Sequence, residues 1–500
     1  MYTSVELIPS IVTSLRETFN SGYTKDIEYR KEQLRCLIRF LKEQEKELCD
    51  VLYKDLHKHE LEARCAEIAP IIGECEYMIK NLDSFVKPGT VEKQYMISAV
   101  STMSVRKEPK GVVMVIGSWN YPLQLTLLPV VGAIAAGNCV VIKPSEHSLN
   151  TTGFIASHLN KYIDPRAYQV IQGSVKETTL LLEQQFDHIL YTGSGKVGKI
   201  VMAAAAKNLT PVTLELGGKS PTIIAPDTDI PIAASRISWA KYFNCGQTCI
   251  APDYVLITKE KVDEFVKCFS DITRKRFGTN PQSSDSFGRI INEQNFESLK
   301  RRLKELHPSK ILLGGETDRA DLYMAPTLVG PLGADDTELM KEEIFGPILP
   351  IVIVEDMNEA IRIVRSKPHP LTLYLFSNDK EVQKLVAENT HSGSLLINDC
   401  LMQAQELGLP LGGIGPSGMG YYHGKKSFET FTQERTFVIA PSGFDGGLEM
   451  RYQPYDRFKT ELMVTATMGL TGSVYEQFKA AVSFMKSFYA VYVQKKEKID

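Results

Sequence analysis

The stretch that decides the fold is Val112-Val113-Met114-Val115-Ile116, then Gly117-Ser118-Trp119-Asn120-Tyr121-Pro122, an apolar run to Ala136, Gly137-Asn138, and Cys139-Val140-Val141-Ile142. Two short apolar runs bracket a helix-length segment. This reads as two strands covered on both faces, with a crossover helix between them. Asn120 and Pro122 predict where that helix starts, as cap and first-turn proline, and Gly137-Asn138 where it ends. Working outward, the alternation continues with strands at 168–171, 188–191 and 212–216 and helices at 176–183 and 197–207. Past Gly217-Gly218 a second series follows, with strands at 222–224, 254–258, 311–313, 349–354, 371–376 and 395–398 and helices such as 262–276 and 358–366. Residues up to about 90 read as helices. The expected class is α/β, with two doubly wound, largely parallel sheets meeting near residue 217.

Composition narrows the function. With 500 residues, 43% of them hydrophobic and 23% charged, the chain can fill more than one core. Its formal charge of −3 offers no basic surplus for nucleic acid. Nine cysteines without regular spacing suggest free thiols in a reducing compartment rather than a disulfide framework. The start, Met1-Tyr2-Thr3-Ser4-Val5-Glu6-Leu7, lacks the features of a secretory or transit peptide, and no uncharged apolar run reaches spanning length. These features predict an intracellular, cytoplasmic protein.

Near the C-terminus, Phe478, Ala481, Val482, Met485, Phe488, Tyr489 and Tyr492 recur at helical spacing, and Lys495-Lys496-Glu497-Lys498 follows. An amphipathic helix with cationic edges can lie in a membrane interface, or it can pack on the protein. The expectation is a peripheral contact with a membrane or lipid surface.

Two loops carry chemistry. Gly193-Ser194-Gly195-Lys196-Val197-Gly198-Lys199-Ile200 has the GxGxxG spacing at a strand-to-helix turn, which suits a dinucleotide phosphate at a helix N-terminus. The same residues form a GxxxxGK, but a P-loop needs Ser or Thr next to hold magnesium, and Ile200 has no oxygen. The second loop is Phe243-Asn244-Cys245-Gly246-Gln247-Thr248-Cys249, where a cysteine in a polar, glycine-containing loop can serve as a thiolate nucleophile.

Here the chain resembles the aldehyde dehydrogenase superfamily, whose nucleophile loop ends in Gly-Gln-x-Cys. Four further segments carry the likeness in the family's order: Gly117 to Pro122, Lys143-Pro144-Ser145-Glu146, Leu214-Glu215-Leu216-Gly217-Gly218-Lys219, and Glu342-Glu343-Ile344-Phe345-Gly346-Pro347. Residues 422–431 and 249–254 look like its class 3 branch, which includes fatty and aromatic aldehyde dehydrogenases.

The resemblance implies two Rossmann-like domains and a small β oligomerisation element. A cofactor-binding domain would span 1–91 and 108–217, a catalytic domain 218–425, bridging segments 92–107 and 426–446, and a tail 447–500. It implies NAD(P)-dependent oxidation of an aldehyde to an acid, with Cys249 as nucleophile, Asn120 as oxyanion donor and Glu215 as general base. Lys143 and Glu146 would clamp the adenosine ribose, favouring NAD with NADP also accepted. Gly193, Ser194, Gly195 and Gly198 would lie under the pyrophosphate, and Glu343 and Phe345 beside the nicotinamide. The implied substrate is a medium- or long-chain aliphatic aldehyde, with an aromatic aldehyde as the alternative, and the implied assembly a homodimer. Neither nucleic acid nor metal is expected as a partner. A catalytically silent binding protein is the contrasting reading, which intact Cys249, Asn120 and Glu215 disfavour. Cys245 forms a Cys-x3-Cys pair with Cys249 that could oxidise to a disulfide switch.

Overall fold

Strands rich in Val, Ile and Leu build two sheets. The computed structural model describes residues 2–494, apart from 94, 96, 97, 99, 444 and 469–471. The Lys495 to Lys498 cluster therefore lies outside the described residues.

The first sheet has the order Gly418–Met419, Val212–Leu216, His188–Gly193, Val112–Ile116, Cys139–Lys143 and Tyr168–Val170. Its other five strands run parallel, and Gly418–Met419 joins antiparallel at the edge. Val112–Ile116 and Cys139–Lys143 are buried along their whole length, as an all-apolar strand pattern demands. Each such Val or Ile is worth about 1.5–3 kcal/mol of burial.

The crossover helix, Gln124–Ala136, starts two residues later than the sequence suggests. Leu123 is its N-cap residue, without a side-chain cap bond. Its free N–H groups are instead met by a carboxylate from far upstream: Glu67 Oε2 accepts from Leu123 N at 3.0 Å and Gln124 N at 2.9 Å. That frees Asn120 for another contact. The helix ends at Gly137, at φ +92°, where a side chain would strike the Arg30 guanidinium that donates to the Ala135 carbonyl.

The second sheet has the order Ile311–Leu313, Thr327–Leu332, Ile348–Val354, Tyr254–Thr258, Pro221–Ile224, Thr372–Phe376 and Ser394–Ile397. Only Ile311–Leu313 is antiparallel to its neighbour. Thr327–Leu332 was not foreseen, because Gly330-Pro331 reads as a break. The sheet absorbs the pair with a register shift between Val329 and Leu332.

By compactness the chain forms two units, Met1–Phe85 with Pro109–Thr432, and Val86–Glu108 with Gln433–Asp500. Both large sheets belong to the first, so residue 217 marks a change of sheet inside one unit. In the second unit, Gly89–Thr90, Thr102–Pro109 and Thr432–Ile439 make a three-stranded sheet. The helices Arg457–Met468 and Val474–Tyr489 share a small core of Met450, Leu462, Ala466 and Val491, with Phe484 and Tyr492 against it. Tyr492 is thus partly buried against this core, whereas Phe478, Met485, Phe488 and Tyr489 of the same expected stripe are exposed. Among the described residues, no helix is long and apolar enough to cross a membrane.

Candidate active site

The Cys249 loop leaves the Ile230–Tyr242 helix through three successive residues in the left-handed region, Asn244 (φ +52°), Cys245 (φ +54°) and Gly246 (φ +73°). A side chain at Gly246 would meet the Gly346 carbonyl oxygen. The strain at the two non-glycine residues is held by hydrogen bonds. Gln247 Nε2 donates to the Arg289 carbonyl at 2.9 Å, and its Oε1 accepts from Ile291 N at 3.0 Å. Cys249 then reaches the wall of a cleft of about 520 Å³, whereas Cys245 is fully buried in the core.

A second loop lies against the first. Asn120 is 2% exposed, and its Nδ2 donates to the Gln247 carbonyl at 3.1 Å, two residues before Cys249. The Tyr121 hydroxyl is 2.7 Å from Thr248 Oγ1. Asn120 therefore faces the Cys249 loop rather than capping a helix.

Glu215 arrives from the first sheet, on Val212–Leu216, and Glu343 from the loop after Glu338–Lys341. Both line the cleft with Cys249. Burial pushes the Glu215 carboxyl well above its usual range, and its Oε1 has no hydrogen-bond partner among the described residues. Burial also lifts Glu343 to about 8, with Asp253 adding to it and the Gly218 N–H, Lys219 and Lys241 opposing. The Cys249 thiol is pushed up to about 12 by burial and then by the Glu343 and Glu215 carboxylates.

The other end of the cleft has the shape of a dinucleotide cradle. Ser194 caps the Gly195–Ala206 helix, its hydroxyl accepting from Val197 N at 3.4 Å. A Cβ on Gly195 would point into open space, and one on Gly193 (φ +158°) would meet the Tyr191 hydroxyl. Lys143 ends its strand with Nζ 2.8 Å from Glu146 Oε2, and both line the cleft. Phe345, at φ +53°, packs edge-on against Trp119 with ring centroids 5.2 Å apart. The exposed helix N-terminus and small-residue turn fit a pyrophosphate, and the Lys143–Glu146 pair fits ribose hydroxyls.

Comparison with known proteins agrees with this arrangement. Residues 3–437 match the aldehyde dehydrogenase family. The chain belongs to that family. It is 45% identical over 448 residues to "Aldehyde dehydrogenase family 3 member A2" of Rattus norvegicus, covering 90% of this chain and 92% of the relative. It is likewise 45% identical to "Aldehyde dehydrogenase, dimeric NADP-preferring" of Canis lupus familiaris, covering 89% and 98%. Among solved structures, the substrate-bound Staphylococcus aureus AldH superposes with a TM-score of 0.85 at 39% identity, covering 87% of this chain and 94% of that one. The reaction of this aldehyde dehydrogenase is thus NAD(P)-dependent oxidation of an aldehyde.

Of the expected site residues, the cleft brings together Cys249, Glu215, Asn120, Lys143, Glu146, Gly193, Ser194, Glu343 and Phe345. Gly195 and Gly198 do not line it. A Cβ on Gly198 would press on Leu216 at 2.8 Å, so this glycine lets the helix pack on its strand. The buried thiol of Cys245, with burial holding it protonated, counts against the disulfide switch.

Sequence reasoning missed Arg302, which lines the cleft and donates to the Glu343 carbonyl and the Glu342 carboxylate, both at 2.9 Å. It sits in a basic helix, Glu293–Lys304, whose neighbours hide it. Asn244 was also missed as a connector. Its Nδ2 donates to both the Asn120 carbonyl (2.8 Å) and the Gln247 carbonyl (3.0 Å).

Proposed function

We propose that Cys249 is the nucleophile, Asn120 the oxyanion donor and Glu215 the general base of this dehydrogenase, acting on medium- and long-chain aliphatic aldehydes. The observation that carries this reading is the meeting of one thiol, one buried amide, one buried carboxyl and one half-buried carboxyl in a cleft with a dinucleotide cradle at its other end. The Cys249 sulfur adds to the aldehyde carbon, and the carbonyl oxygen takes the negative charge of a thiohemiacetal. The Asn120 amide and the Cys249 backbone N–H receive that charge, and losing one such donor costs about 3–4 kcal/mol. Bound in the cradle, NAD(P) supplies the acceptor for the hydride that leaves this carbon. Glu215 then takes a proton from water as it attacks the thioester, releasing the acid and the thiol. Cys249 and Glu215 must both lose protons before they act, so turnover rises with pH.

An apolar cluster of Ala66, Tyr121 and Leu125, with Phe243 against it and Trp239 edge-on to Phe243, adjoins the two loops and supports an apolar substrate. The test is NADH and NADPH formation with hexanal, hexadecanal and benzaldehyde, using wild type and Cys249→Ala. Turnover in the first and none in the second supports the nucleophile. Benzaldehyde outrunning both aliphatic aldehydes would favour the aromatic alternative.

The chain also acts inside the cell as a homodimer in contact with lipid. The name of the dog relative supports the dimer, as does the exposed Thr432–Ile439 strand with Val438 and Ile439 outward. Exposed Phe478, Met485, Phe488 and Tyr489 support the lipid contact. Sedimentation velocity tests the first. Flotation with anionic vesicles, lost on Phe488→Glu with Met485→Glu, tests the second.

A further inference from the structure

We propose that the buried Lys58–Glu67 ion pair is a positioning device for the Asn120 amide in aldehyde oxidation. Both side chains are completely buried, and they bond to each other. Each also grips one end of the oxyanion loop. Lys58 Nζ donates to the Asn120 carbonyl at 3.0 Å and stands 4.2 Å from the Tyr121 ring centroid. The second Glu67 oxygen accepts from the backbone of Leu123 and Gln124. The four residues from Asn120 to Leu123 are therefore tied at both ends to one ion pair.

A second observation joins this pair to the nucleophile. The Asn120 carbonyl also accepts from Asn244 Nδ2, whose own backbone lies in the strained turn before Cys249. Glu67 sits in a single π-helical turn, Arg64–Ile68, between two α-helical stretches, and such turns recur at functional sites. A buried ion pair is weak evidence for stability, because replacing both partners with neutral ones is often harmless. What this one supplies is placement: an ammonium that fixes the Asn120 main chain and a carboxylate that fixes the helix end behind it. The side-chain amide of Asn120 is left with its direction set. A shift of about 1 Å in such a group can cost on the order of 100-fold in rate.

This inference rests on the proposed role of Asn120, and its test separates the two. Lys58→Met alone strands a buried carboxylate and risks misfolding, so the informative variant combines Lys58→Met with Glu67→Gln. The new amide oxygen can still receive the Leu123 and Gln124 N–H groups. The double variant is expected to lose at least about 30-fold in kcat for hexanal. Alkylation of Cys249 by iodoacetamide, which raises no oxyanion, should stay within about twofold of wild type, and so should the affinity for NAD. In an Asn120→Ala background the same two substitutions should lower kcat by less than about twofold more, because a group acting only through Asn120 has nothing left to position.

Wild-type kcat within threefold in the double variant would overturn the proposal. So would a loss that persists undiminished in the Asn120→Ala background, or an alkylation rate that falls in step with kcat. Absence of turnover in the wild type would overturn the reading of the site and this inference with it.

Discussion

The charge balance around Cys249 gives a measurable signature in thiol chemistry. With its pKa pushed up to about 12, the thiol is almost wholly protonated at pH 8. Glu343, at about 8, changes charge inside the accessible range, whereas Glu215 lies well above its usual range through burial. Below pH 8 Glu343 is neutral and leaves the thiolate undisturbed; above it, the carboxylate repels the thiolate and holds the proton on sulfur. A like charge about 8 Å from such a group is worth about 2 kcal/mol at an effective dielectric of about 20, somewhat over one pKa unit.

The rate of Cys249 carbamidomethylation by iodoacetamide in the cofactor-free enzyme, followed by peptide mass, reads this directly. In wild type it should climb about tenfold per pH unit up to pH 7.5 and flatten through pH 8. Glu343→Gln keeps an oxygen for the Gly218 N–H and cannot ionise. It should match wild type at pH 6.5 and exceed it by about tenfold at pH 9. A ratio that does not change with pH, or a wild-type plateau well below pH 7, would refute the electrostatic account.

Other outcomes follow from single contacts. Asn120→Ala should lower kcat by about 100- to 1,000-fold. It should barely move the melting temperature, because the Gln247 carbonyl keeps its bond from Asn244. If Glu215 is the base as proposed, Glu215→Gln should give one turnover of NADH per site in a rapid-mixing experiment and then stall. Cys245→Ser should leave peroxide inactivation unchanged, because the buried Cys245 thiol takes no part in it. Gly198→Val should lower stability by about 1–3 kcal/mol in thermal or denaturant unfolding, through overpacking on Leu216.

Much of this was legible in the chain because the relevant physics is local. Val112–Ile116 and Cys139–Lys143 announce buried strands by their continuous apolar runs, and the Gly193-Ser194 turn announces a helix N-terminus by its small residues. Reasoning failed where a partner lies far along the chain. Asn120 looks like a helix cap when read with Pro122, yet the cap is Glu67, and the preceding turn is set by Lys58. The left-handed Asn244 and Cys245 were likewise illegible. Only Gly246 carries a local signal, and the other two are forced by Gln247 bonds to residues 289 and 291.

These long-range ties explain how a reactive site can be built on loops. Asn120 and Cys249 sit on turns, which alone would leave their geometry free on the scale of an ångström. Each turn is anchored to a buried group: the Asn120 turn to Lys58 and Glu67, and the Cys249 turn through Gln247 to the Arg289 and Ile291 backbone. The two turns are then bonded to each other through Asn120, Asn244 and Thr248. Burial first, and the Glu343 and Glu215 carboxylates once ionised, keep the thiol protonated and slow to oxidise. Precision and restraint thus come from different residues. Loosening the Lys58–Glu67 anchor should therefore damage turnover and spare thiol reactivity, whereas neutralising Glu343 should raise thiol reactivity at high pH.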